Sequence, residues 1–158
     1  MKHRLLVGVI ALAMTAASTA QTWATATATN PEGNRVVVYR FLKQLPPGLN
    51  RASQPERFIV DWKYDGARGM PTTAERQRMD AMEDALEGGD GSGRSMTLAV
   101  VSTGNNLRRW VYYAQSERDF AARLNRVTEA MPGLPLELHS EADPEWKAYE
   151  AFKATIRE

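Results

Sequence analysis

The chain has 158 residues, 20 of them Lys or Arg against 19 Asp or Glu, and it contains no cysteine. Such a balance leaves no broad basic field of the kind that drives binding to nucleic acid or anionic membranes. Without thiols there are no disulfides and no thiolate chemistry, so packing alone has to hold one ordinary domain.

Lys2 and Arg4 precede an apolar run over 5–17, and Ser18 and Ala20 fill the two small positions before Gln21. This is the layout of a secretory signal over 1–20, cleaved after Ala20, and it predicts export to the periplasm or the exterior. The run is shorter than the roughly 20 residues a membrane span needs, so no membrane anchor is expected. Losing Lys2 and Arg4 with the signal leaves 18 basic side chains against 19 acidic ones. Residues 21–34 are Thr/Ala-rich without a clear apolar face and read as a flexible leader. Residues 35–158 read as a single α+β domain. Within it Val36-Val37-Val38-Tyr39 has the composition of an additional N-terminal strand, and Pro46-Pro47-Gly48 and Gln54-Pro55-Glu56 break the chain.

Phe58, Val60, Trp62 and Tyr64 alternate with Ile59, Asp61 and Lys63, which predicts a strand with its larger apolar residues on one face. Thr72 followed by Glu75 has the spacing of a capping box, and Met79, Met82 and Leu86 recur on one face of the helix it opens. Gly88 and Gly89 end that helix, and 90–93 read as a mobile linker. Strands over 97–102 and 107–114 flank Gly104-Asn105-Asn106 as a hairpin. Ser116 with Asp119 opens a second helix carrying Phe120, Leu124, Val127 and Met131, and Pro132-Gly133 ends it. Leu134, Leu136 and Leu138 alternate as a further strand. Asp143 is expected to cap a last helix with Pro144 in its first position and Trp146, Tyr149, Phe152 and Ile156 on its buried side. The order βαββαβ predicts a ferredoxin-like α+β sandwich with an extra C-terminal helix.

Trp62-Lys63-Tyr64-Asp65, Gly69-Met70-Pro71-Thr72, Met82-Glu83-Asp84, the hairpin over 103–113 and Asp143-Pro144-Glu145-Trp146 occur in one order. In that order they resemble the bacterial family called domain of unknown function 695. The resemblance covers roughly the last two thirds of the chain. It implies a fold similar to that of the regulator of ribonuclease activity B, a cytoplasmic inhibitor of ribonuclease E. Export would separate this chain from a cytoplasmic ribonuclease, so the inhibitor activity is not carried over. Arg109 stands before Trp110 where the resemblance leads one to expect an acidic residue.

The chemistry available is limited. His139 is the one histidine left after His3 departs with the signal, so a metal site built on histidines has a single imidazole. Asp61, Asp65, Glu83, Asp84 and Asp143 could divide acid and base roles if their environments separated them. A hydrolase using carboxylates near the Trp62-Asp65 and Glu83-Asp84 motifs is therefore the alternative reading. Against it, Asp61 is expected to point outward, Asp143 to cap a helix, and Glu83 and Asp84 to lie on the polar side of theirs. Adjacent helical positions point about 100° apart, so those two are no facing dyad. The hairpin lacks the glycines of an RNA-recognition motif, and no glycine spacing cradles a phosphate, so neither nucleic acid nor any cofactor is expected. What remains is an exported, non-catalytic protein-binding or regulatory module with an envelope or extracellular protein partner. Two helices cover one sheet face, and an extra strand, the last helix or a partner can cover the other. Trp110, Tyr112, Trp62 and Tyr64 are the candidate partner-binding residues, provided their rings are exposed. The opposing reading folds 36–45 over them. The oligomeric state is left open.

Overall fold

Phe58, Val60 and Trp62 are fully buried along β3 (Glu56–Lys63), the strand that their alternation predicts. The computed structural model describes residues 22–32, 34–88 and 95–156. The signal expected at 1–20, the helix stop at Gly89 and the linker at 90–93 lie outside the described residues. Among the described residues β3 is preceded by β1 (Trp23–Thr29) and β2 (Val36–Leu42). It is followed by α1 (Thr73–Gly88), β4 (Met96–Gly104), β5 (Leu107–Ala114), α2 (Glu117–Ala130), β6 (Leu136–Ala142) and α3 (Lys147–Thr155). The strands form one antiparallel sheet in the order β1-β2-β4-β5-β3-β6. From β3 onward the elements run βαββαβ and then α, an α+β sandwich compatible with the ferredoxin-like expectation.

Local chemistry sets the connections. Asn105 and Asn106 both hold positive φ, at 52° and 60°, and make the two-residue turn between β4 and β5. That turn is locked to the loop after β3: the Asn106 N–H donates to the Gly69 carbonyl at 3.0 Å, and the Tyr64 hydroxyl donates to the same oxygen at 2.8 Å. Gly69, at φ 79°, passes so close that a Cβ there would stand 2.9 Å from the Asn105 nitrogen. The motifs at 62–65, 69–72 and 103–113 thus meet in one corner of the fold.

Two cores lie on opposite faces of the sheet. Trp62, Trp110, Tyr112 and Phe58 pack beneath α1 and α2, with Met79, Met82, Leu86, Phe120 and Leu124. Val111, Tyr113, Val100 and Phe41 pack with Trp146 and Tyr149, the latter from α3. Successive residues of β5 feed opposite cores because strand side chains alternate.

Several expectations are corrected. Residues 23–29, read as part of a flexible leader, are β1, paired with β2 along its whole length from Trp23↔Leu42 to Thr29↔Val36. Alternating Thr and Ala carries the period of a strand without an apolar face, and the pairing supplies what hydrophobicity does not. Of segment 36–45, the β2 part lies in the sheet beside β4 rather than over it, and on the second face Leu45 packs into the core that α3 covers. β6 starts at Leu136 rather than Leu134. The last helix starts at Lys147 because 143–146 form a turn, with the Trp146 N–H on the Asp143 carbonyl at 3.0 Å. Asp143 still caps that helix from a distance, its carboxylate accepting from the Lys147 and Ala148 N–H groups at 2.7 and 3.0 Å.

Candidate functional site

A polar cluster sits beside the main core, built around Glu83 of α1. Positions i, i+3, i+4 and i+7 of an amphipathic helix face the protein, and here they are Met79, Met82, Glu83 and Leu86, all buried. The acid thus occupies a core position, and donors from the sheet neutralise it. One carboxylate oxygen accepts from the Arg40 guanidinium on β2. The other accepts from Arg108 at 3.1 Å and from the Trp110 indole N–H at 2.7 Å, both on β5. Arg108 also pairs with Asp80 at 2.8 Å and lies 5.0 Å from the centre of the Trp110 ring, while Arg40 lies 4.9 Å from that of Trp23.

This cluster lines an open cleft of about 510 Å³ between α1, β2, β4 and the loop after β3. Val38, Val101, Met70 and Pro71 give it apolar lining, and Arg76 and Asp84 stand exposed beside it. One turn beyond Glu83, Glu87 is exposed as a residue while its carboxyl is crowded by protein. Burial, then the charge of Glu83, pushes it up to about 6. The Tyr112 hydroxyl lies inside the core without a hydrogen-bond partner among the described residues. Burial, with Glu87 and Glu83 near it, pushes its ionisation well above the ordinary tyrosine value.

Two further carboxylates are engaged elsewhere. Asp61 is buried, not outward-pointing, and takes a bidentate ion pair from Arg109 across the β3–β5 ladder, both bonds 2.7 Å. Arg109 is therefore the partner of Asp61; an acid in its place would oppose a second carboxylate. Asp143 accepts the Tyr113 hydroxyl at 2.8 Å. Burial raises its carboxyl, but the bonds from Ala148, Tyr113 and Lys147 outweigh that and hold it below the ordinary range.

The sequence-predicted sites fare unevenly. Trp62, Trp110 and Tyr112 have no exposed surface and belong to the core under α1 and α2, so the exposed rings required of partner anchors are absent. Tyr64 is half-buried, with its hydroxyl spent on the Gly69 carbonyl. Trp62 donates its indole N–H to Glu75 at 2.7 Å, so that acid does not close the capping box it was expected to complete. Glu83, expected on the polar side of α1, is buried, whereas Asp84 is exposed on the cleft. The two do not form a dyad. Asp65 and His139 are exposed, away from the cleft lining. Arg40, Arg108 and Glu87 were not singled out from sequence. The signal that could have found them was Glu83 at the i+4 place of a Met-Met-Leu stripe, which demands cationic partners from the facing strands.

Among the described residues no three His, Asp or Glu side chains are grouped to hold a metal ion, and no helix is long and apolar enough to cross a membrane. No curated protein matches the chain. Residues 21–153, which include β1 and all but the end of α3, match a family of unknown function (DUF695). With that match running through both cores and the Glu83 cleft, the chain belongs to the DUF695 family.

Proposed function

We propose that the chain is an exported, non-catalytic protein-binding or regulatory module whose partner docks in the cleft between α1 and β2. The observation that carries this reading is the engagement of Glu83. Arg40 and Arg108 pair with its two oxygens and Trp110 donates to one of them, which makes the carboxylate a buried counter-ion tying α1 to the sheet. Asp80 is tied to Arg108, Asp61 to Arg109 and Asp143 to Tyr113 and α3. What the cleft offers a visitor is apolar lining, the partly exposed ion-paired Arg40 and Asp80, and two exposed charges of opposite sign, Arg76 and Asp84, a combination suited to the side chains of a partner segment. Export rests on the basic, apolar and small-residue order of 1–20, and it makes the partner an envelope or extracellular protein.

The test reverses the exposed charges. Arg76→Glu with Asp84→Lys should leave the melting curve unchanged and abolish retention of an envelope protein on the immobilised chain. Retention indifferent to the reversal overturns the cleft as the docking site. Mass spectrometry of the exported protein should give an N-terminus at Gln21; an intact N-terminus in the membrane fraction overturns the export reading.

A carboxylate hydrolase near the Trp62-Asp65 and Glu83-Asp84 motifs is the second reading, and one observation favours it: burial and the charge of Glu83 push the Glu87 carboxyl, one turn further along α1, up to about 6. Turnover of a hydrolase substrate that disappears in Glu87→Gln and survives the Arg76/Asp84 reversal would replace the binding module with the enzyme.

A further inference from the structure

The two edges of the sheet differ in a way that bears on assembly. Among the described residues β1 is the outer strand on one side, and its seven residues carry no charge, no proline and no bulge. An edge of that kind is an open template for another strand, and sheet proteins normally guard against it with charge, proline or irregularity. β6, the other edge, is guarded. Pairing with its own copy about His139 would set Glu137, already paired with Lys63, opposite Glu141, already paired with Arg57, crowding two ion pairs at the seam.

Which backbone groups of β1 are free follows from its register. The Lys43 N–H donates to the Thr22 carbonyl at 2.8 Å, and the Asn30 N–H donates to the Arg35 carbonyl at 3.0 Å. In an antiparallel ladder the hydrogen-bonded pairs recur at every second residue, so the even-numbered residues of β1 turn their amides and carbonyls toward β2. Trp23, Thr25, Thr27 and Thr29 turn theirs to the open rim. By the alternation of the strand their side chains lie on the α1 face, with Trp23 at the end touching both cores, and Ala24 and Ala26 pack on the α3 face.

We infer that β1 is a dimerisation edge, on which a second copy of this chain pairs its own β1 antiparallel about a two-fold axis at Ala26. That register places Thr25 opposite the partner's Thr27, Trp23 opposite the partner's Thr29, and Ala24 opposite the partner's Ala28. Every outward-turned amide and carbonyl on the rim then meets its counterpart, and the central Ala26 pair is of the non-hydrogen-bonded kind, as its inward backbone requires. Apart from Trp23 against Thr29 at the two ends, Thr faces Thr and Ala faces Ala, so neither sheet face changes character across the junction, and no like charges meet. The strand is its own complement, which is what an isologous interface needs. The result is one continuous sheet through both copies. It leaves the Glu83 cleft open and does not depend on what binds there.

Sedimentation of the purified chain over a concentration series tests the assignment. The wild type should pass from monomer to twice the monomer mass. Thr27→Pro removes an outward N–H that β2 does not use, so it should keep the wild-type melting behaviour and remain monomeric. Thr25→Lys with Thr27→Lys should also remain monomeric, because each lysine opposes another. Thr25→Glu with Thr27→Lys should dimerise again, since residue 25 faces residue 27 of the other copy. A wild type that stays monomeric overturns the inference. So does a dimer that survives Thr27→Pro, and failure of the Glu/Lys variant to restore association rules out the two-fold at Ala26.

Discussion

Glu83 is held by donors from two strands, and its energetic weight follows from what its loss would strand. Arg108 is buried, and its remaining ion pair is with Asp80, which is half-exposed. Removing one partner of a buried pair costs about 3–5 kcal/mol where the other charge is left alone, and here Asp80 still compensates Arg108 in part. Glu83→Ala should therefore lose up to about 3 kcal/mol in urea melts, whereas Asp84→Ala, one residue along, should change stability by less than about 0.5 kcal/mol. Equal effects would mean that the two acids share an environment. The residue scale is also where sequence reading went furthest astray. Chemical type put Glu83 on the solvent face, while its spacing from Met79 put it in the core, and spacing decides because the helix carries every fourth side chain to the same side. Trp110 and Tyr112 were read as interface anchors from their type. Yet Trp110-Val111-Tyr112-Tyr113-Ala114 is an unbroken apolar run, the mark of a strand buried on both faces.

At the scale of elements, α1 combines a conventional start with a charged end. The Thr72 hydroxyl accepts the Glu75 N–H at 3.2 Å, and Thr72→Ala should cost about 1 kcal/mol. Trp146 is fully buried, stacked 3.9 Å from Tyr113, and Trp146→Ala should cost about 3–5 kcal/mol. Denaturant melts that ranked these two the other way would displace both elements. Glu87 gives α1 a pH dependence of definite sign. Its carboxyl is raised from 4.5 to about 6, so the folded chain holds that proton more tightly than the unfolded one. Its contribution to stability is therefore largest below pH 4.5, declines as the pH rises to about 6, and stays at its low level above that. Glu87→Gln should melt higher than wild type at pH 7, with the difference vanishing near pH 4; a constant difference across that range would show the shift to be absent. Helices were legible because their stripes and caps repeat over many residues. The start of α3 was not, because Pro144 is as much at home in the turn over 143–146 as in a first helical turn, and the Asp143 carboxylate reaches the helix from either place.

For the whole molecule, the strand order from β6 through β3 and β5 to β4 was legible in the alternation of strands and helices. The hairpin that lengthens the sheet and the face chosen by α3 were not, since both are decided by contacts between distant segments. Those contacts also govern how the chain closes. The Tyr149 hydroxyl donates to the Leu42 carbonyl across 107 residues, Arg51 pairs with Glu150 across 99, and the Trp146 indole donates to the Gln54 carbonyl across 92. Loops of that length must be closed before their contacts repay the entropy, which slows folding. A polypeptide made from its N-terminus would therefore keep Phe41 and Tyr113 bare until α3 had left the ribosome. Premature termination anywhere before α3 would yield an open, sticky sheet that holdase chaperones should retain, so emergence of α3 and acquisition of the second core become one event.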